Sequence, residues 1–226
     1  MKRITITMIA SLVVVLGSCT GAQAWDVVYN AGAGLLPTAA SPAWQTLASG
    51  SATTINSGVL HINGDGTTYG REAEAIGSGV PMTLEARMRV SASAHGSAGL
   101  SIGTYSGYLT LDVFPDHMVI RDQYYQQCTF DADFITEFHT IRLAYDGNTE
   151  GYVWVDGLRA LSWTTLAWPW TLGPPDGVRF GSYLADSYWQ YVAYSKEFIP
   201  VPEPSSLAAL LCGLAGVGGV VIRRRR

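Results

Sequence analysis

The 226-residue chain is short of cysteine and of charge: it holds three cysteines, and Asp, Glu, Lys and Arg together make up 14% of it. The cysteines stand at 19, 128 and 212 with no Cys-x-x-Cys pair, so nothing points to a structural zinc site. If both ends of the chain are removed only Cys128 survives, and no internal disulfide can form. Stability must then come from an apolar core, and roughly 175 residues can bury about 70% of their unfolded surface without such staples. An internal repeat is lacking, as is any stretch with sustained helical periodicity. Basic residues are scarce in the middle of the chain: residues 25–200 hold 8 basic and 17 acidic side chains, a formal charge of about −9. That balance argues against nucleic acid or an anionic membrane surface as partner, because neutralising phosphates is what drives such binding.

The chain is 48% hydrophobic, as suits a membrane protein or an apolar core with targeting segments, and its two ends decide for the second. Residues 1–24 read as a secretory signal peptide: Lys2 and Arg3 precede a mostly apolar stretch, and Ala22-Gln23-Ala24 forms a small-x-small cleavage site before Trp25. This implies signal peptidase as a partner. Two competing readings are an uncleaved N-terminal anchor, for which the stretch is short, and lipidation at Cys19, since Leu16-Gly17-Ser18-Cys19 resembles a bacterial lipobox. At the other end residues 207–222 are all apolar, small or cysteine, and Arg223 to Arg226 follow at once. A helix of that length spans about 24 Å, short of the roughly 30 Å hydrocarbon core. The arginines orient such a span with the preceding domain exported.

Pro202-Glu203-Pro204, the short apolar helix and the arginine cluster stand in that order over residues 199–226. Together they resemble the PEP-CTERM sorting signal of Gram-negative bacteria. The resemblance implies recognition by an exosortase, with Pro202, Glu203 and Pro204 as the sorting motif. It also implies transient residence in the inner membrane, then delivery to the cell surface or an exopolysaccharide matrix. The prolines stop the helix from continuing upstream and leave the triplet extended, where a protease can grip it. A plain tail anchor with a proline-rich linker is the competing reading.

Between the two ends, residues 25–198 show short alternating runs punctuated by Gly, Pro, Asn and Asp, the pattern of an all-β sandwich of about twelve strands in two antiparallel sheets. In TLEARMRV (83–90) Leu84, Ala86, Met88 and Val90 alternate with Glu85, Arg87 and Arg89, so one face is buried and the other is solvated or salt-bridged. GYLTLDVF (107–114) and HMVIR (117–121) form a hairpin around Pro115-Asp116. Residues 138–163 read as a three-strand meander with turns at Asp146-Gly147-Asn148 and Asp156-Gly157.

TLEARMRV, FHTIRLAYDGNTEGYVWVDG and VRFGS followed by WQYVAYS resemble the succession in laminin G-like domains of the concanavalin A-like lectin/glucanase superfamily. The resemblance implies a jelly-roll sandwich flanked by the signal peptide and a single C-terminal transmembrane helix. It leaves function open, because this fold hosts lectins, adhesins, glycosidases and lyases alike.

Catalysis on glycosides needs two carboxylates facing one sugar. Glu72 and Glu74 lie on one face of a strand about 7 Å apart, but the Glu-x-Asp-x-Glu or Glu-x-Asp-x-x-Glu run of glucanases is missing, as are the Gln-x-His and Tyr-Phe-Lys strands of alginate-lyase-like sandwiches. The pair therefore reads as a solvated strand face. His139 heads a strand where laminin G-like domains commonly have a packing histidine, and His61, His95 and His117 have no metal-ligand spacing. No cofactor is implied, although the turn Asn63-Gly64-Asp65-Gly66 offers oxygens of the kind that bind Ca²⁺. The aromatic candidates for stacking on sugars are Tyr124 and Tyr125 in one loop and Trp163, Trp168 and Trp170 in another, with plugging of the sandwich ends as their other use. The expectation is an exported, non-catalytic glycan-binding or adhesion module with a polysaccharide ligand. The competing classes are a polysaccharide-active hydrolase or lyase and a purely structural matrix component.

Overall fold

The computed structural model describes residues 25–50, 52–64, 66–71, 80–91, 96–104, 107–121, 127–148, 150–164 and 177–201. The expected signal peptide (residues 1–24), the expected sorting motif and residues 207–222 therefore lie outside the described residues. Among the described residues no helix is long and apolar enough to cross a membrane. Beyond two 3-10 turns, Ala31–Ala33 and Pro37–Ala39, the described residues are strand and connection.

Five four-residue strands come first: β1 (Val27–Asn30), β2 (Gln45–Ala48), β3 (Thr53–Asn56), β4 (Val59–Ile62) and β5 (Thr68–Arg71). The longer ones follow: β6 (Met82–Val90), β7 (Ser97–Thr104), β8 (Gly107–Val113), β9 (His117–Arg121) and β10 (Gln127–Asp131). The chain then runs through β11 (His139–Tyr145), β12 (Glu150–Val155), β13 (Leu158–Thr164), β14 (Val178–Tyr183) and β15 (Ser187–Ser195). Among the described residues fifteen strands stand where the turn spacing predicts about twelve, and the excess comes from the short early strands, whose four residues carry too little alternation to read.

They form two antiparallel sheets. Sheet A runs β13-β12-β11-β6-β15-β4-β3, with β1 also on β15; sheet B runs β10-β9-β8-β7-β14-β5-β2. The expected all-β two-sheet sandwich is what the chain builds. The β8–β9 hairpin and the β11–β12–β13 meander are present as the sequence pattern predicts. The Asp156-Gly157 turn has positive φ at both residues, 50° and 82°, as a two-residue type I′ hairpin turn requires.

Alternation decides which face of each strand is buried. On β6 Leu84, Ala86, Met88 and Val90 have no exposure, and they meet Leu100, Ile102, Leu111 and Val113 of sheet B in one core. Phe180 of β14 is its aromatic hub. Its ring centroid lies 5.0 Å from Trp44 at 84°, 5.1 Å from Trp189 at 60° and 5.9 Å from Tyr29. Stacked and edge-to-face contacts of this kind add about 0.5–1.5 kcal/mol each beyond area burial.

The outer face of sheet A is polar and internally paired. Arg142 donates through Nε to Glu85 Oε2 at 2.7 Å, with its Nη2 2.6 Å from the same oxygen, while Tyr191 donates to Glu85 Oε1 at 2.8 Å. Burial, with the Glu85 carboxylate alongside, pushes the Tyr191 hydroxyl up to about 12. At the far end of this face Arg89 lies 3.9 Å over the Tyr188 ring, and His61 stacks on that ring at 4.6 Å.

Candidate functional site

The feature best suited to hold a ligand is on the outer face of sheet B, where four strands distant in sequence lie side by side. The register sets two rows across them. One runs Gly70, Arg179, Ser101, Thr110; the next runs Thr68, Gly181, Gly99, Asp112. Their neighbours in each strand, such as Leu100, Leu111 and Phe180, point the other way into the core. The second row has two glycines at its centre, so the sheet face is a trough of about 240 Å³ rather than a ridge of side chains.

The walls are polar. Ser101 Oγ and Thr110 Oγ1 are hydrogen-bonded at 2.9 Å, Arg179 stands beside them, and Asp112 supplies the single carboxylate among the described lining residues. Tyr183 closes one end with 68% of its surface exposed, a ring edged by hydroxyls and available for stacking. Gly181 has a second task. A Cβ there would lie 2.4 Å from the Thr67 carbonyl oxygen and 2.7 Å from Thr68 Cα, so β5 approaches β14 only because residue 181 is glycine. The carbonyl of Thr67 accepts a hydrogen bond from the Ser182 N–H at 3.0 Å just below.

Chemically the trough offers hydroxyl donors and acceptors, one cation, one anion and one aromatic surface. This is the mixture that binds a neutral polyhydroxylated ligand. A glycosidase needs two carboxylates converging on one bond, and the described lining provides Asp112 alone.

The residues picked out from sequence fare differently. Tyr124, Tyr125, Trp168, Trp170, Glu72, Glu74, His95, Asp65 and the triplet Pro202, Glu203, Pro204 lie outside the described residues. Trp163 falls within β13, and its side chain is likewise outside what is described. Gly64 of the proposed calcium turn donates its N–H to Asp186 Oδ1 at 2.8 Å. Among the described residues no three His, Cys, Asp or Glu side chains gather as a metal site.

His139 is a packing residue. Its Nδ1 is 2.6 Å from Asp156 Oδ2, its Nε2 is 2.7 Å from the Asp133 carbonyl, and its ring meets Phe134 edge-on at 5.3 Å. Asp133 in turn is held below the usual carboxylate range, first by the Thr136 hydroxyl and then by the backbone N–H groups of Ile135 and Thr136.

Sequence reasoning missed Tyr183 and the glycine pair. The signal for Tyr183 was its place at the end of VRFGSY, one residue past the last core position. The trough itself had no signal, because its two rows exist only after β5, β7, β8 and β14 have come together.

No protein-family model matches the chain, and no curated protein matches it. Solved structures do. The binding domain of botulinum neurotoxin serotype G superposes with a TM-score of 0.57 at 12% identity over 83% of this chain, which spans about half (51%) of that protein. A prokaryotic β-1,3-1,4-glucanase (lichenase) from a mouse hindgut metagenome gives 0.57 at 10% identity, covering 76% of this chain and 99% of that one. The carbohydrate recognition domain of Emp46p, in its potassium-bound form, gives 0.51 at 13% identity, covering 73% and 94%. At these identities the likeness speaks for the fold alone: the described domain is an all-β jelly-roll sandwich of two antiparallel sheets, like these neighbours.

Proposed function

We propose that this chain is an exported, non-catalytic glycan-binding module, sorted by an exosortase to the cell surface or exopolysaccharide matrix, with the trough on sheet B as its binding site. The observation that carries the binding reading is the glycine-floored trough with Tyr183 at its mouth and Asp112 as the lone described carboxylate. Hydroxyl-lined walls match the hydrogen-bonding needs of sugars, and an exposed ring matches their C–H faces. The resemblance to a lichenase and to a carbohydrate recognition domain supports the same ligand class. Export and sorting rest on the sequence of the two ends.

The test is retention of the detergent-solubilised full chain on immobilised extracellular polysaccharides, with reducing ends measured in parallel. Saturable binding that Tyr183→Ala weakens, with no new reducing ends, is the expected result. Release of reducing ends that Asp112→Asn abolishes would make the protein an enzyme, and the absence of binding to any polysaccharide would remove the glycan reading.

A further inference from the structure

After β15 the chain does not leave the domain at once. Residues 196–201 run back across the outer face of sheet A and are tied to it at nearly every step. The Lys196 N–H donates to Asp26 Oδ2 at 2.6 Å. Thr83, fully buried in β6, donates its hydroxyl to the Glu197 carbonyl at 2.7 Å and accepts from the Ile199 N–H at 2.9 Å. Arg142 Nη1 donates to the Ile199 carbonyl at 3.3 Å, and the Phe198 ring packs 5.8 Å from that of Tyr152. Val201 ends the run over Gly157, beside Trp154 and the Glu85–Arg142 pair.

The start of the domain closes on the same spot. Trp25 lies 5.4 Å under the Arg142 guanidinium, and the Asp26 N–H bonds the Tyr194 carbonyl at 3.0 Å. Both ends thus meet at Arg142 on sheet A, while the trough opens on sheet B.

We infer that residues 196–201 are a strap, clasped by Thr83 and Arg142, that sets the inner limit of proteolytic processing: an endopeptidase removing the tail hydrolyses a peptide bond beyond Val201 and leaves the domain whole. A protease needs an extended stretch of free backbone around the bond it cuts, and four backbone groups of the strap, the Lys196 and Ile199 N–H and the Glu197 and Ile199 carbonyls, are already engaged. Water adds its hydroxyl to the new carboxyl terminus and its proton to the released amine, so no other co-reactant is required. The motif Pro202-Glu203-Pro204 is separated from the last hydrogen-bonded residue, Ile199, by Pro200 and Val201, and Val201 rests on Gly157. The use of the strap in processing rests on the proposed sorting by an exosortase, with the tail cut away, whereas the clasp itself is a property of the folded domain.

Limited proteolysis of the full chain in detergent, with trypsin and chymotrypsin and products mapped by mass, tests it. In the native chain Lys196 and Phe198 are expected to resist while the tail beyond Val201 is trimmed. Thr83→Val, which deletes both hydroxyl bonds, is expected to speed cleavage at Lys196 and Phe198 at least tenfold without new cuts inside the sheets. Cleavage at Lys196 or Phe198 in the native chain as fast as in the tail overturns the inference, and so does a Thr83→Val pattern identical to the native one. If Thr83→Val is cut throughout, Thr83→Ser decides: native resistance at Lys196 upholds the clasp, and loss of it overturns it. A chain that keeps residues 202–226 after export would defeat the tail-removal reading and leave the protease pattern of the clasp unchanged.

Discussion

Gly99 of β7 and Gly181 of β14 are register partners, and between them they clear two side chains from the centre of a polar sheet face. Their tolerance to substitution should nevertheless differ. A Cβ on Gly99 would meet its nearest atoms at 3.8 Å, an ordinary contact, whereas one on Gly181 would lie 2.4 Å from backbone oxygen. Gly99→Leu is therefore expected to fold with a near-native denaturation midpoint and to fill the trough, abolishing polysaccharide retention. Gly181→Ala is expected to lose about 1–3 kcal/mol of stability, as overpacked sites do. Urea titration of the two variants alongside the binding assay separates the effects.

Tyr183 is the exposed ring of the trough. Its removal takes away one aromatic contact of about 0.5–1.5 kcal/mol, so Tyr183→Ala should weaken polysaccharide affinity roughly two- to twelvefold. Tyr183→Phe should keep most of it, which titration calorimetry with a bound oligosaccharide would read.

Glu85 and Arg142 form a nearly buried pair, with side-chain exposures of 10% and 12%. Arg142→Met leaves the carboxylate with the Tyr191 hydroxyl alone and should cost about 3–5 kcal/mol, the range for an uncompensated buried charge. Changing both residues to apolar ones of similar volume is expected to recover most of that loss. A double-mutant cycle by chemical denaturation measures it.

Stability should fall at both extremes of pH. Hydrogen bonds from His117 to Asp116, and from Thr136 and two backbone N–H groups to Asp133, hold these carboxyls below their ordinary range. Their contribution is complete above about pH 4, where the unfolded carboxyls are ionised, and is lost as pH falls through the lower folded values. On the alkaline side burial pushes Tyr29 upward and Tyr191 up to about 12. The unfolded chain ionises these tyrosines from about pH 10, so their contribution is intact below that pH and declines as pH rises toward 12. Denaturation midpoints between pH 2 and 12 should trace both limbs, and Tyr191→Phe should flatten the alkaline one.

Ser187 Oγ accepts from the Trp189 indole N–H at 2.6 Å and bonds the Ser182 hydroxyl, all three groups being buried. Ser187→Ala strands an indole donor in the core and should lose about 1–3 kcal/mol. Trp189→Ala, which empties a fully buried site against Phe180, should lose about 3–5 kcal/mol. Thermal unfolding ranks the two.

The class of fold follows from local period and turn chemistry. Leu84 to Val90 alternate with charged residues and take opposite faces of β6, and Asp156-Gly157 turns because glycine accepts positive φ. Other features depend on register and on contacts between distant segments. The bulge in β15 between Trp189 and Tyr191 shifts the alternation, so Gln190 and Tyr191 both serve the outer face, bonding Arg87 and Glu85, while Trp189, Val192 and Tyr194 enter the core. A two-residue period cannot announce where it slips. The trough and the strap belong to the same kind: Thr68, Gly99, Asp112 and Gly181 become one row, and Thr83 meets Ile199, only when sheet pairing brings together positions that no local pattern links. Local sequence chose strands and their buried faces; the pairing of those strands decided what the exposed faces hold.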